Sequence, residues 1–228
     1  MARPHIDREI PTREAIILAT IEALERHGEA GVRVMDIART VGCTVGNLYN
    51  HFTSREELIE AACVRQFEWT LGSDMAQVYA AVERCETAAQ FRVFLKQVAG
   101  ITNGPERLEL RRKRIGVLGA GWRRPSLWSA IGRAQASRTT DFQRAVALAQ
   151  AKGFITRDMT ARSVAVVCQA VLFGRIISDI DAEGPLSDED WTHCVHRFFL
   201  TLMDEPRGRQ RRKPARGGRA RKPGSRSG

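Results

Sequence analysis

The sequence predicts an all-α protein. Apolar residues recur at helical spacing along most of the chain, sustained period-two alternation is almost absent, and Gly, Pro or Ser/Thr signals punctuate the periodic runs. Thr12 follows Pro11 and is placed to cap a first helix, with Glu14 in its first turn. Ile16, Ala19, Thr20, Ala23 and Leu24 make one narrow face of it, and Gly28 supplies a stop. A second, short helix holds Val34, Ile37, Ala38 and Val41 at i, i+3, i+4 and i+7 and ends at Gly42. A third starts after Thr44 and repeats that spacing with Val45, Leu48, Tyr49 and Phe52, a face expected to pack inward. Ser54 caps a fourth, with Glu57 three positions on as the reciprocal half of a capping box. Two short helices about a glycine turn, flanked by longer ones, form a helix-turn-helix layout.

Further helices are predicted over 55–84, 87–102, 105–120, 125–152, 160–181 and 187–204. They are separated by Asn103-Gly104-Pro105, Arg124-Pro125, Lys152-Gly153 and Glu183-Gly184-Pro185. Residues 164–174 (VAVVCQAVLFG) are apolar nearly all round and need cover on more than one side. Trp191, Val195, Phe198, Phe199 and Leu202 make a broad stripe on the last helix. A two-fold interface explains that apolar surplus more simply than a single monomer does.

The net charge of +10 is unevenly placed. Residues 207–228 hold 10 Lys+Arg and no acid, which leaves 26 basic against 26 acidic residues in the rest of the chain. That tail contains no apolar residue larger than Ala and is expected to be disordered. It reads either as a solubilising end or as a nonspecific polyanion clamp. No uninterrupted apolar run approaches the ~20 residues that cross a bilayer, and MARPHIDREI carries charge without an apolar h-region. A cytoplasmic protein without a membrane segment is therefore expected. Cys43, Cys63, Cys85, Cys168 and Cys194 show no CxxC spacing, which suits a reducing compartment and buried, inert thiols. No GxSxG, P-loop, GxGxxG or HExxH signature is present, so no enzyme and no cofactor are expected. His193 and His196 lie one turn apart but lack a third ligand, so no metal site is expected.

With Leu48 and its neighbours inward, helix three turns Thr44, Gly46, Asn47, Asn50 and His51 outward. Such a helix can enter a major groove about 12 Å wide and present donors and acceptors to base edges. Thr44 offers a hydroxyl at a helix start, where backbone N–H groups also attract phosphate. Asn47 can pair two-handed with an adenine edge, Gly46 permits close backbone approach, and Val45 can meet a thymine methyl. Tyr49 can keep its ring in the core and its hydroxyl towards a phosphate. His51 reads equally as a packed or capping residue and as a phosphate contact. Residues 1–60 hold seven Arg and ten acidic residues, so binding there depends on placement, with Arg3, Arg8, Arg13, Arg33 and Arg55 towards phosphate.

The stretch VRVMDIARTVGCTVGNLYNHFTSREELI resembles the DNA-binding region of the tetracycline-repressor (TetR) family of transcriptional regulators. The resemblance rests on Asp36-Ile37-Ala38, Gly42, Thr44, Leu48-Tyr49, His51-Phe52 and Ser54-Arg55-Glu56-Glu57-Leu58, and covers roughly residues 10–60. It implies an N-terminal helix-turn-helix DNA-binding domain (residues 1–60) and a larger helical domain for effector binding and dimerisation (61–205), before the basic tail (206–228). It further implies a homodimer through the helices at about 160–181 and 187–204, a palindromic double-stranded DNA operator, and release of that operator by a small-molecule effector. The chain departs from the family at Arg33, where Thr or Ser is usual, at Arg55 in place of Lys, and at Asn50 in place of a basic or aromatic residue. Candidate DNA contacts are thus Arg33, Thr44, Val45, Gly46, Asn47, Tyr49, Asn50, His51 and Arg55. Candidate effector contacts are Trp69, Tyr79, Phe91, Phe94, Trp122, Trp128 and Phe142, which point to an apolar or aromatic effector. Arg111-Arg112-Lys113-Arg114 reads as a solvated helix face, or else as contact with an anionic ligand or the DNA-binding domain.

The alternative is a nonspecific DNA-coating protein driven by its tail. Removing residues 207–228 is expected to weaken binding to specific and random DNA alike and to flatten its salt dependence, as read from DNA titrations at several salt concentrations. An unchanged slope would assign the tail to solubility alone.

Overall fold

A computed structural model describes residues 12–71 and 75–203, and among these residues regular structure is helical. Helix α1 (Thr12–His27) begins at the residue expected to cap it, and Gly28 ends it at φ 65°. A 3-10 turn (Glu29–Gly31) leads to α2 (Val34–Val41), whose start at Arg33 has no side-chain cap. Gly42 closes α2 in the left-handed region at φ 78°, where glycine carries no Cβ penalty, and its N–H bonds back to Ala38 and Arg39. Then follow α3 (Val45–His51) and α4 (Arg55–Thr70). The capping box at α4 forms differently from the expectation. Ser54 accepts from Glu57 N–H at 3.0 Å, but the Glu57 carboxylate takes the N–H and hydroxyl of Thr53, each at 2.6 Å. Those two bonds hold the Glu57 carboxyl below its usual range.

The helix expected over 55–84 is two helices, because α4 ends at Thr70 and α5 starts afresh at Met75 (Met75–Arg84). Helices α6 (Ala88–Ala99), α7 (Pro105–Gly121) and α8 (Pro125–Ala151) start and stop close to expectation, with a full capping box at Thr87 and Gln90. The helix expected over 160–181 also divides, into α9 (Ala161–Phe173) and α10 (Arg175–Asp179). At Gly174 the next turn tightens to an Ile177 N–H bond with the Gly174 carbonyl at 3.0 Å. The last helix is α11 (Asp188–Leu200). Arg3, Arg8 and the basic tail lie outside the described residues.

Two cores result. The first gathers Ile16, Ile37, Leu48, Phe52 and Leu58, and it continues past residue 60 through Phe67 to Val117, Leu127 and Ile131. The second gathers Val82, Phe91, Val146, Phe154, Cys168 and Phe199. Helix α8, with 27 residues and a length of about 40 Å, feeds the first core at its start and the second at its end. Burial pushes the Cys63 thiol up to about 11 and the Cys168 thiol to about 12, so both stay protonated. Cys43 is half-buried and Cys194 exposed, against the expectation of uniformly buried thiols.

The basic run on α7 is not a solvated face. Arg111 is buried, with two nitrogens on the Asp179 carboxylate at 2.5 and 2.9 Å and a third on the Thr102 carbonyl. Arg114 lies between the rings of Phe67 and Phe173, at 5.2 and 4.5 Å. Lys113 reaches Glu25 on α1 at 2.7 Å, and of the four only Arg112 is exposed. Arg111 and Asp179 are both over nine-tenths buried, so removing one charge strands the other. Asp179→Asn is expected to cost ~3–5 kcal/mol of stability, read by urea unfolding at fixed protein concentration.

Candidate nucleic-acid interface and interior cavity

Helix α3 has seven residues, too few to persist in water without tertiary support. Leu48 and Phe52 supply it, being essentially inaccessible in the first core, with the Arg13 guanidinium 5.0 Å above the Phe52 ring. Arg13 therefore stands over a core residue. The inward face is narrower than the periodicity implied, since Val45 and Tyr49 are 37% and 46% exposed. On so short a helix, only residues directly over the core are covered.

Thr44 has a structural duty that its exposed position concealed: its hydroxyl oxygen caps α3 by accepting from Asn47 N–H at 3.0 Å. The side chains of Asn47, Asn50 and His51 make no hydrogen bond among the described residues and face solvent. Arg33 is exposed at the start of α2. Arg55 turns the other way, with Nε on the Val32 carbonyl at 2.9 Å and an Nη on the Glu29 carbonyl. Its guanidinium ties the 3-10 turn to α4 instead of extending outward. The structure thus brings Val45, Gly46, Asn47, Tyr49, Asn50 and His51 onto one exposed helix and diverts Arg55. Arg39 on α2 is exposed and pairs with Asp36 at 3.1 Å.

Gly46 is informative because the protein does not need it. A Cβ there would meet nothing nearer than Thr44 Oγ1 at 3.9 Å, yet glycine inside a helix costs roughly 0.5–1 kcal/mol relative to alanine.

Among the described residues, two of the cavities lie in the larger body. One, of about 130 Å³, is lined by Phe142, Phe173, Leu71, Gln169 and four arginines. The other, of about 40 Å³, is almost wholly apolar and includes Phe91, Phe94 and Phe142. Of the expected effector contacts these three line a cavity, whereas Trp69, Tyr79, Trp122 and Trp128 line neither. Trp69 is exposed beneath the Arg65 guanidinium, and Trp122 meets Trp128 edge-on at the surface. Aromatic content marked those positions, but the helix crossings decide which rings face a void.

Residues 16–62 match the family model for bacterial regulatory proteins of the tetR family. Among solved structures, the chain is similar to a Rhodococcus sp. protein assigned as a TetR-family transcriptional regulator, at 26% identity and a TM-score of 0.58, over 85% of this chain and 98% of that one. A TetR-family protein from Mesorhizobium loti shares the fold at 18% identity and a TM-score of 0.63, over 84% and 96% of the two chains. A transcriptional regulator from Saccharomonospora viridis in complex with choline does so at 18% identity and 0.55, over 85% and 97%. No curated protein matches the chain in sequence. Gly46→Ala is expected to raise thermal stability slightly while weakening specific DNA binding, as read by melting and by DNA titration of the same variant.

Proposed function

We propose that the chain, whose residues 16–62 match the tetR family model, is a TetR-type, ligand-responsive repressor that holds a palindromic operator as a homodimer. DNA-binding regulators of this family act as dimers and are not enzymes. The observation that carries the reading is the short α3, capped by Thr44 and pinned by Leu48 and Phe52, with Val45, Gly46, Asn47, Tyr49 and Asn50 left open. Asn47 and Asn50 read base edges, Tyr49 and His51 reach phosphate, and Arg33 and Arg39 add charge from α2.

The dimer reading is supported by the outer side of α9 and α10. Val166, Val167, Ile177 and Ile180 are exposed there, and Phe198 is exposed on α11. The stretch Ala161–Asp179 has the length and hydropathy of a membrane-crossing helix, 19 residues at a mean of 1.4. It is interrupted at Gly174, and the following Arg175 is buried against Asn103 and Asp188, so a protein partner suits it better. A second copy would cover this face and place two reading helices on one side of the duplex. The effector enters the larger body, as the choline complex of the S. viridis protein suggests for this fold. It favours a dimer whose reading helices no longer match the operator. The protein acts in the cytoplasm, where the operator lies.

Genome-wide recovery of bound DNA, followed by footprinting, tests the reading. Two inverted half-sites about 34–36 Å apart, or a multiple of that, are expected. Asn47→Ala is expected to cost ~1–3 kcal/mol at the operator and to relax base choice at one position per half-site. A single asymmetric footprint, or equal affinity for random DNA, would overturn it in favour of nonspecific coating.

A further inference from the structure

Four arginines wall the larger cavity: Arg107, Arg111, Arg114 and Arg138. Two are anchored by the protein, Arg111 on Asp179 and Arg138 on the Leu71 carbonyl at 3.1 Å. Arg114 is different. No carboxylate pairs with it among the described residues, and its one hydrogen bond goes to the neutral Gln135 Oε1 at 2.8 Å. Its Nε is buried without a partner, as is the hydroxyl of Thr102, another residue of the cavity wall. The rings of Phe67 and Phe173 flank the guanidinium, and they attract a cation without neutralising it. Burial, with Arg138 nearby, pulls the guanidinium down to about 10. A cation held this way lacks the counter-charge that buried charges ordinarily have.

The opposite wall is apolar. Val78, Val98 and Phe142 line both this cavity and the smaller one, so the charged end adjoins a recess reaching Phe91 and Phe94. The larger volume, about 130 Å³, is comparable to the roughly 150 Å³ cavity that accepts benzene. We propose that the effector is an amphipathic carboxylate, an aryl- or short alkyl-carboxylic acid whose head pairs with Arg114 and whose body lies along Phe142 towards Phe91 and Phe94. A planar carboxylate matches the guanidinium fork, and a monoanion balances a guanidinium that no carboxylate pairs with among the described residues. The inference rests on the ligand-responsive reading and assigns the ligand's chemical class within it.

Calorimetric titration of full-length protein with octanoate and 4-ethylbenzoate, each compared with its own amide, tests the assignment, with release of the footprinted DNA followed in parallel. At least one carboxylate is expected to bind tenfold or more tighter than its amide. Arg114→Met is expected to abolish that preference while melting no lower than the parent, because it removes an uncompensated charge; Arg114→Lys is expected to keep part of it. The assignment fails if neither carboxylate outbinds its amide on the unaltered protein, or if a folded Arg114→Met variant retains the preference. Carboxylate preference without DNA release would leave the ligand class standing and refute ligand-responsive regulation. Release by the amides without carboxylate preference would do the reverse.

Discussion

A seven-residue helix has no stability of its own, so the reading surface exists only as long as Leu48 and Phe52 stay buried. That constraint divides the tasks on α3. Two side chains are given to the core, one hydroxyl to the cap, and the remaining positions are free to face outward. Gly42 and the Thr44 cap fix where the helix begins, and the Phe52 N–H bond to the Leu48 carbonyl fixes where it stops. A shift of one residue in either would rotate Asn47 away from the surface that Leu48 leaves open.

The same core carries the helix into the rest of the molecule. Phe67, Val117, Leu127 and Ile131 continue it from α4 into α7 and α8, so the first core includes parts of the larger body. Polar ties follow the same route. Arg124, at the start of α8, holds Glu29 in the 3-10 turn, Lys113 holds Glu25 on α1, and Arg55 holds two carbonyls of the linking segment. These half-exposed pairs contribute modestly to stability. Their number and placement instead fix the orientation of α1 to α3 on the body.

The helix-turn-helix was legible because its signals are local: a cap, a glycine at positive φ, and a short apolar spacing all lie within a few residues. What the sequence concealed depended on neighbours far along the chain. Arg111 and Arg114 read as a solvated run because their partners, Asp179 and the rings of Phe67 and Phe173, are tens of residues away. Tyr49 and Val45 read as inward because spacing counts a stripe and not the area available to cover it. Arg55 carries a charge that sequence alone sends to phosphate, yet it meets two backbone carbonyls that no pattern announces. Trp69, Tyr79, Trp122 and Trp128 line neither cavity for the same reason. A void is a property of helix crossings, and its most informative wall residues are cations.

Arg114 stands where this arrangement has its greatest leverage. Phe67, on one side of it, belongs to the core that supports α3; Phe173, on the other, closes α9, whose outer face is apolar and uncovered. A ligand can shift the balance between two arrangements only through contacts that differ between them. A carboxylate seated on Arg114 would draw the guanidinium towards the cavity and alter its hold on both rings, one in the core that supports α3 and one at the end of α9. A neutral ligand filling the apolar recess would lack that electrostatic leverage, since the recess wall, Phe91, Phe94 and Phe142 included, is almost wholly apolar. On the proposed reading, the uncompensated charge would both select the ligand and carry the effect of its binding to α4 through Phe67.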